Sequence, residues 1–114
     1  MAKLVREFKG NFDEVVDFSK LAILNNSISA SLEDEVFYNV NDVRIGVIVF
    51  ERYSITGGNR LTLTLTVTEY NGEIKLTAIT SGGSQGVFMK INTVGEEDFL
   101  INYAKELVNY IESL

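Results

Sequence analysis

The chain has 114 residues, 46% of them apolar, and its ten basic and sixteen acidic residues leave a net charge of −6. That length suits one domain with its own core, and 1–114 reads as a single α+β domain. The negative field repels phosphate backbones. Lys3, Arg6, Lys9 and Lys20 are interrupted by acids or apolar residues, so no basic patch offsets it and no nucleic acid is expected as a partner.

Cys and His are both absent, which removes thiol nucleophiles, disulfides, imidazole acid–base chemistry and Cys/His zinc sites. No metal and no cofactor are expected. Apolar runs such as residues 45–50 are far too short to span a bilayer, so no membrane association is expected. Acids at Glu7, Asp13, Glu14 and Asp17 interrupt any basic-then-apolar export signal, and a cytoplasmic location is expected.

In chain order, Leu4 to Phe8 reads as a first strand, ended by Gly10-Asn11. Asn11 is placed to cap a helix, with Glu14 at the reciprocal capping position and acids in the first turn. Apolar spacing predicts that helix over 12–24, with Asn25-Asn26 as its stop. From Ser27 the period becomes two. Ile28, Ala30 and Leu32 alternate with serines, and Val36, Tyr38 and Val40 keep that parity. Between them, Glu33-Asp34-Glu35 predicts either an acidic bulge or a turn between two strand pieces. Asn41-Asp42 reads as a turn.

The next strand is apolar on both sides, which marks it as central. Val43, Ile45, Val47 and Val49 are expected to face the core. Arg44, Gly46, Ile48, Phe50 and Arg52 form its other row. A glycine loop at 54–59 leads to a strand in which Leu61, Leu63, Leu65 and Val67 alternate with four threonines. Asn71-Gly72 predicts a two-residue type I′ hairpin. The return strand sets Ile74, Leu76 and Ala78 against Lys75, Thr77 and Ile79. After a second glycine loop at 81–86, Val87 to Ile91 reads as a short strand, and Thr93 as the cap of a last helix with Glu96, Glu97 and Asp98 in its first turn. The order β-α-β4-α, with one more short strand possible, predicts a meandering antiparallel sheet with two helices packed on one face.

Two stretches carry a family resemblance. Phe50-Glu51-Arg52-Tyr53-Ser54 leads into Thr56-Gly57-Gly58-Asn59-Arg60. Ala78-Ile79-Thr80-Ser81-Gly82-Gly83-Ser84-Gln85 leads through Lys90-Ile91-Asn92-Thr93 to Gly95-Glu96-Glu97. Together they resemble a family of small uncharacterised bacterial proteins, mainly from Firmicutes, which implies no activity. The element order is also similar to the TATA-binding-protein-like fold, a likeness of shape that implies nothing about DNA binding.

Three candidate chemistries stand beside plainer readings. The glycine loops flank strands that run the same way, so Arg52, Tyr53, Asn59, Arg60, Ser81, Ser84 and Gln85 are candidates to hold a carboxylate or phosphate. The plainer reading is that the glycines only turn the chain and that the arginines pair with Glu51 and Glu69. Glu33, Asp34 and Glu35 supply hard oxygen ligands, but neighbours in a strand diverge, and a solvated acidic edge explains them. A small hydrolase or transferase would use Glu51, Arg52, Arg60 and Lys90, with Tyr53 beside Glu51 or Lys90 as base for Ser84. No catalytic residue is assigned. A non-enzymatic module is favoured, with Ile48, Phe50 and Ile79 on the second face of the sheet as the surface for a dimer or a protein partner.

Overall fold

A computed structural model describes residues 1–54, 59–82 and 89–114. The elements are β1 (Ala2–Lys9), α1 (Phe12–Asn25), β2 (Ser31–Val40), β3 (Val43–Ser54), β4 (Asn59–Tyr70), β5 (Glu73–Gly82) and α2 (Met89–Glu112). The five strands form one antiparallel sheet in the order β1-β5-β4-β3-β2. Strands β2 to β5 are a meander, and β1 pairs with the outer side of β5. Both helices lie on one face, as the sequence predicts.

Local chemistry sets the ends of these elements. The Asn11 side chain accepts a hydrogen bond from the Glu14 amide at 3.0 Å, so the cap occupies one of the amides that have no partner inside a helix. At the β4–β5 hairpin, Asn71 and Gly72 have φ of 52° and 80°, the positive values that a type I′ turn needs. The Gly10 amide donates to the Gly72 carbonyl at 3.0 Å and ties the end of β1 to that hairpin.

The core lies between the sheet and the helices. Leu61, Leu63, Leu65 and Val67 of β4 are fully buried there, with Ile74, Leu76 and Ala78 of β5 beside them. Phe12, Val15, Val16 and Ile23 of α1 cover one part of this layer, and Phe99, Leu100, Tyr103 and Leu107 of α2 cover the rest. Alternation in β4 and β5 therefore reads correctly from the sequence.

In β3 the expected side is reversed. Ile48 pairs with Leu65 and Phe50 with Leu63, and both are fully buried under the helices. Val43, Ile45, Val47 and Val49 point to the other face, opposite the threonines of β4. Ile48 and Phe50 thus belong to the core and not to an association surface. Arg44 and Arg52 share their row, which makes it read as outward in the sequence. Those arginines sit near the two ends of the strand and lie over aromatic rings of the helices. Arg44 is 4.4 Å from the Phe12 ring centroid and Arg52 is 4.7 Å from that of Phe99. An arginine stem can cover apolar surface while its head reaches the rim, so a flanking charge does not turn a row outward.

Gly46 lies between them, where an added Cβ would come within 2.8 Å of the Phe37 ring. The missing side chain lets Phe37 cross β3 and meet Phe12 edge-on, with ring centroids 6.3 Å apart.

Three further expectations change. Strand β2 begins at Ser31, and residues 27–30 form a turn, leaving Ile28 fully exposed. The acidic stretch is a bulge within one strand, since the register shifts between Leu32 and Asp34. Residues 89–91 belong to α2 rather than to a strand, and residues 87–88 lie outside the described residues. Thr93 is consequently inside the helix, not at its cap. Alternating apolar residues over so short a stretch fit both periods, which is why pattern alone misreads it.

One polar pair is sealed in the core. The Ser19 and Tyr103 hydroxyls are 2.6 Å apart, and both residues are fully buried. Burial pushes the Tyr103 hydroxyl well above the ordinary tyrosine range, and the bond to Ser19 lowers it only in part. Ser19→Ala is expected to cost about 1–3 kcal/mol in urea unfolding, because the phenol would lose its partner in a dry site. A raised folded pKa stabilises the fold fully below the unfolded value and loses that contribution as pH climbs past it. Stability is therefore expected to fall above about pH 10, the ordinary tyrosine value, and Tyr103→Phe is expected to flatten that decline in pH-dependent denaturation.

Candidate functional site

The strand ends that lead into the two glycine loops lie side by side. Ser54 pairs with Asn59, and Leu61 pairs with Gly82. Ser84 and Gln85 lie outside the described residues, as do the side chains of Asn59 and Lys90. The remaining candidates divide between the two faces of the sheet. Arg52 pairs with Leu61 and points to the helix side, over Phe99. Tyr53 pairs with Arg60, and both lie on the open side, where Arg60 meets Glu51 at 3.1 Å. The Arg60–Glu51 pair is the plainer arrangement weighed from the sequence. The two guanidiniums do not converge on one point.

Smaller contacts complete this corner. The Ser29 hydroxyl accepts from the Tyr53 amide and donates to its carbonyl, both at 3.2 Å, so the 27–30 turn is stapled to the end of β3. The Thr62 and Ser81 hydroxyls lie 2.6 Å apart across β4 and β5. The described residues enclose a cleft of about 240 Å³ lined by Ser29, Ser31, Glu33, Glu51, Arg52, Tyr53 and Arg60. Ligand pockets usually run from about 300 to 1,000 Å³. Glu33 and Glu51 stand here against the Arg60 guanidinium, while that of Arg52 lies over Phe99 on the helix side, so the cleft has no excess positive charge to attract an anion.

The acids of β2 diverge, as strand geometry requires. The Ser31 hydroxyl bonds the Glu33 carboxylate, Asp34 accepts from the Glu35 amide at 2.8 Å, and Glu35 pairs with Lys20 at 2.6 Å. They lie on an edge strand and make no common centre.

The largest feature left is the sheet face turned away from the helices. Its residues follow from the register. One row runs Asp34, Val49, Thr64, Ile79, Lys3 from β2 to β1. The next runs Val36, Val47, Thr66, Thr77, Val5, and the third Tyr38, Ile45, Thr68, Lys75, Glu7. No described element covers this face. Val36 and Val40 are each 51% exposed, Tyr38 48%, Val5 41% and Ile79 38%. Five strands about 4.8 Å apart and roughly ten residues long, at about 3.3 Å per residue, give a face of about 800 Å². Of the residues expected to form an association surface, only Ile79 is on it. Val36, Tyr38 and Val40 share the parity of Leu32 in the sequence, but the bulge after Leu32 turns them to the open face, and the β3 valines read from the sequence as core.

These features define an α+β domain whose sheet is covered by helices on one side and open on the other, the open side being apolar across β2 and β3. The chain belongs to DUF6054, a family of unknown function, which matches residues 1–111. None of the curated proteins and none of the solved structures matches it. Among the described residues, no helix is long and apolar enough to cross a membrane.

The Arg60–Glu51 pair is exposed on the arginine side, at 71% of the side chain. Arg60→Ala is therefore expected to change unfolding free energy by less than about 0.5 kcal/mol in urea titration.

Proposed function

We propose that the protein is a small non-enzymatic module of the bacterial cytoplasm that works by association, through the open face of its sheet. The observation that carries this reading is the five-stranded sheet with helices on one side only, whose other side carries valine, isoleucine and tyrosine across β2 and β3, with Ile79 and Val5 beyond the threonines of β4. Monomeric proteins rarely leave an apolar patch of several hundred Å² in water, and a patch rimmed by charged residues is typical of protein contacts. The rim here is formed by Asp34, Lys3, Glu7 and Lys75.

The same mixed charges disfavour a nucleic-acid strand, which would select a basic surface. A likeness in element order to the TATA-binding-protein-like fold therefore brings no DNA partner with it. An anion held by Arg52 and Arg60, or an enzyme built on Glu51, Arg52, Arg60 and Lys90, takes second place. Arg60 is neutralised by Glu51, and Arg52 is on the opposite face.

Hydroxyl-radical footprinting of intact cells against dilute purified protein tests the association reading without naming the partner. Tyr38 and Val36 are expected to be protected in cells, while Leu21 on α1 reacts equally in both. Equal reactivity of Tyr38 in the two samples would remove the reading.

A further inference from the structure

We infer that the open face is occupied by a second copy of this chain, related by a two-fold axis that crosses the strands along the row Val36, Val47, Thr66, Thr77, Val5. This rests on the reading of that face as an association surface and adds the identity and register of the partner.

The argument is self-complementarity about that row on four of the five strands; on β5 the axis lays Ile79 of one copy along the stem of Lys75 of the other. On β1, Lys3 and Glu7 lie two residues either side of Val5. The axis therefore lays Lys3 of one copy over Glu7 of the other, twice. On β2, Asp34 and Tyr38 lie two residues either side of Val36, so a carboxylate meets a phenol, again twice. On β3, Val49 and Ile45 exchange places around Val47, and apolar surface meets apolar surface. On β4, Thr64 and Thr68 exchange around Thr66, and hydroxyl meets hydroxyl. An axis along β4 would instead lay Asp34 over Lys3, Val36 over Val5 and Val49 over Ile79, but also Val47 over Thr77 and Ile45 over Lys75. Of the threonines only Thr77 would then lie against a valine, whereas the axis across the strands keeps Val47 on Val47 and Thr77 on Thr77.

The size also fits. About 800 Å² per copy is the usual contribution to a stable interface. Two such sheets would stack about 10 Å apart, as in a sandwich, and each copy's uncovered layer would become interior. Lys3 has no ion-pair partner among the described residues, and Glu7 has a long, exposed one in Lys75 of its own chain at 3.6 Å, so Glu7 can turn to Lys3 across the interface.

Sedimentation equilibrium of the purified chain tests this with two single variants, Lys3→Glu and Glu7→Lys. The native chain is expected to dimerise in the micromolar range. Each variant alone places like charges over each other twice and is expected to dimerise about tenfold more weakly. Mixed in equal amounts, they form a heterodimer with both opposite-charge pairs intact, and near-native affinity is expected to return. Near-ultraviolet circular dichroism of each variant checks that the fold is unchanged. Single variants that dimerise like the native chain, or a mixture that stays weak, would overturn the register. A native chain that stays monomeric at high micromolar concentration would overturn the second copy as occupant. Protection of Tyr38 in cells would in that case leave the association reading standing with a different protein partner.

Discussion

The fold depends on the pairing of β3 with β4. Their register sets Ile48 beside Leu65 and Phe50 beside Leu63, and so decides which side of a doubly apolar strand meets the helices. A shift of one residue would send Ile48 and Phe50 into water and bring Val47 and Val49 inside. Everything else on the helix side is arranged around that choice. Phe99, Tyr103 and Leu107 of α2 and Val15 and Ile23 of α1 complete one continuous layer with these strands.

The two arginines of β3 close that layer where its apolar cover runs out. Arg44 lies over Phe12 and pairs with Asp13 at 3.0 Å, near the start of α1. Arg52 lies over Phe99 near the opposite end of the strand. Each guanidinium has a flat face suited to an aromatic ring, and neither has to be desolvated fully to cover it. A charged residue in an inward row is therefore consistent with that row's being the core, provided it stands near an end. The Ser19–Tyr103 pair shows the other permitted arrangement, in which polar atoms are buried deeply but satisfy one another.

The same register that fills the core leaves the valines of β3 beside the threonines of β4 on the uncovered side. Covering both faces of a sheet takes helices on both faces or a second sheet, and this chain places its two helices together. Apolar residues on a β-sheet face that no helix reaches are the physical ground for the association reading. They also account for the edge chemistry. The bulge after Leu32 and the exposed acids of β2 discourage further strands from adding at that edge, while the face itself stays open.

Where one face of a strand is apolar and the other hydroxyl or charged, as in β4 and β5, the residues alone determined which side would be buried. They likewise determined the Asn11 cap and the Asn71-Gly72 turn, because each is a local interaction between near neighbours. In β3, with apolar residues on both sides, alternation is symmetric and could not choose. Pairing with β4 made the choice, through side chains far away in sequence. The start of α2 escaped for a related reason, since a short apolar alternation fits strand and helix alike. The separation of Arg52 from Arg60 was likewise out of reach until the strands were paired. Two residues that seem to share a loop can project to opposite faces, and only the assembled sheet decides which.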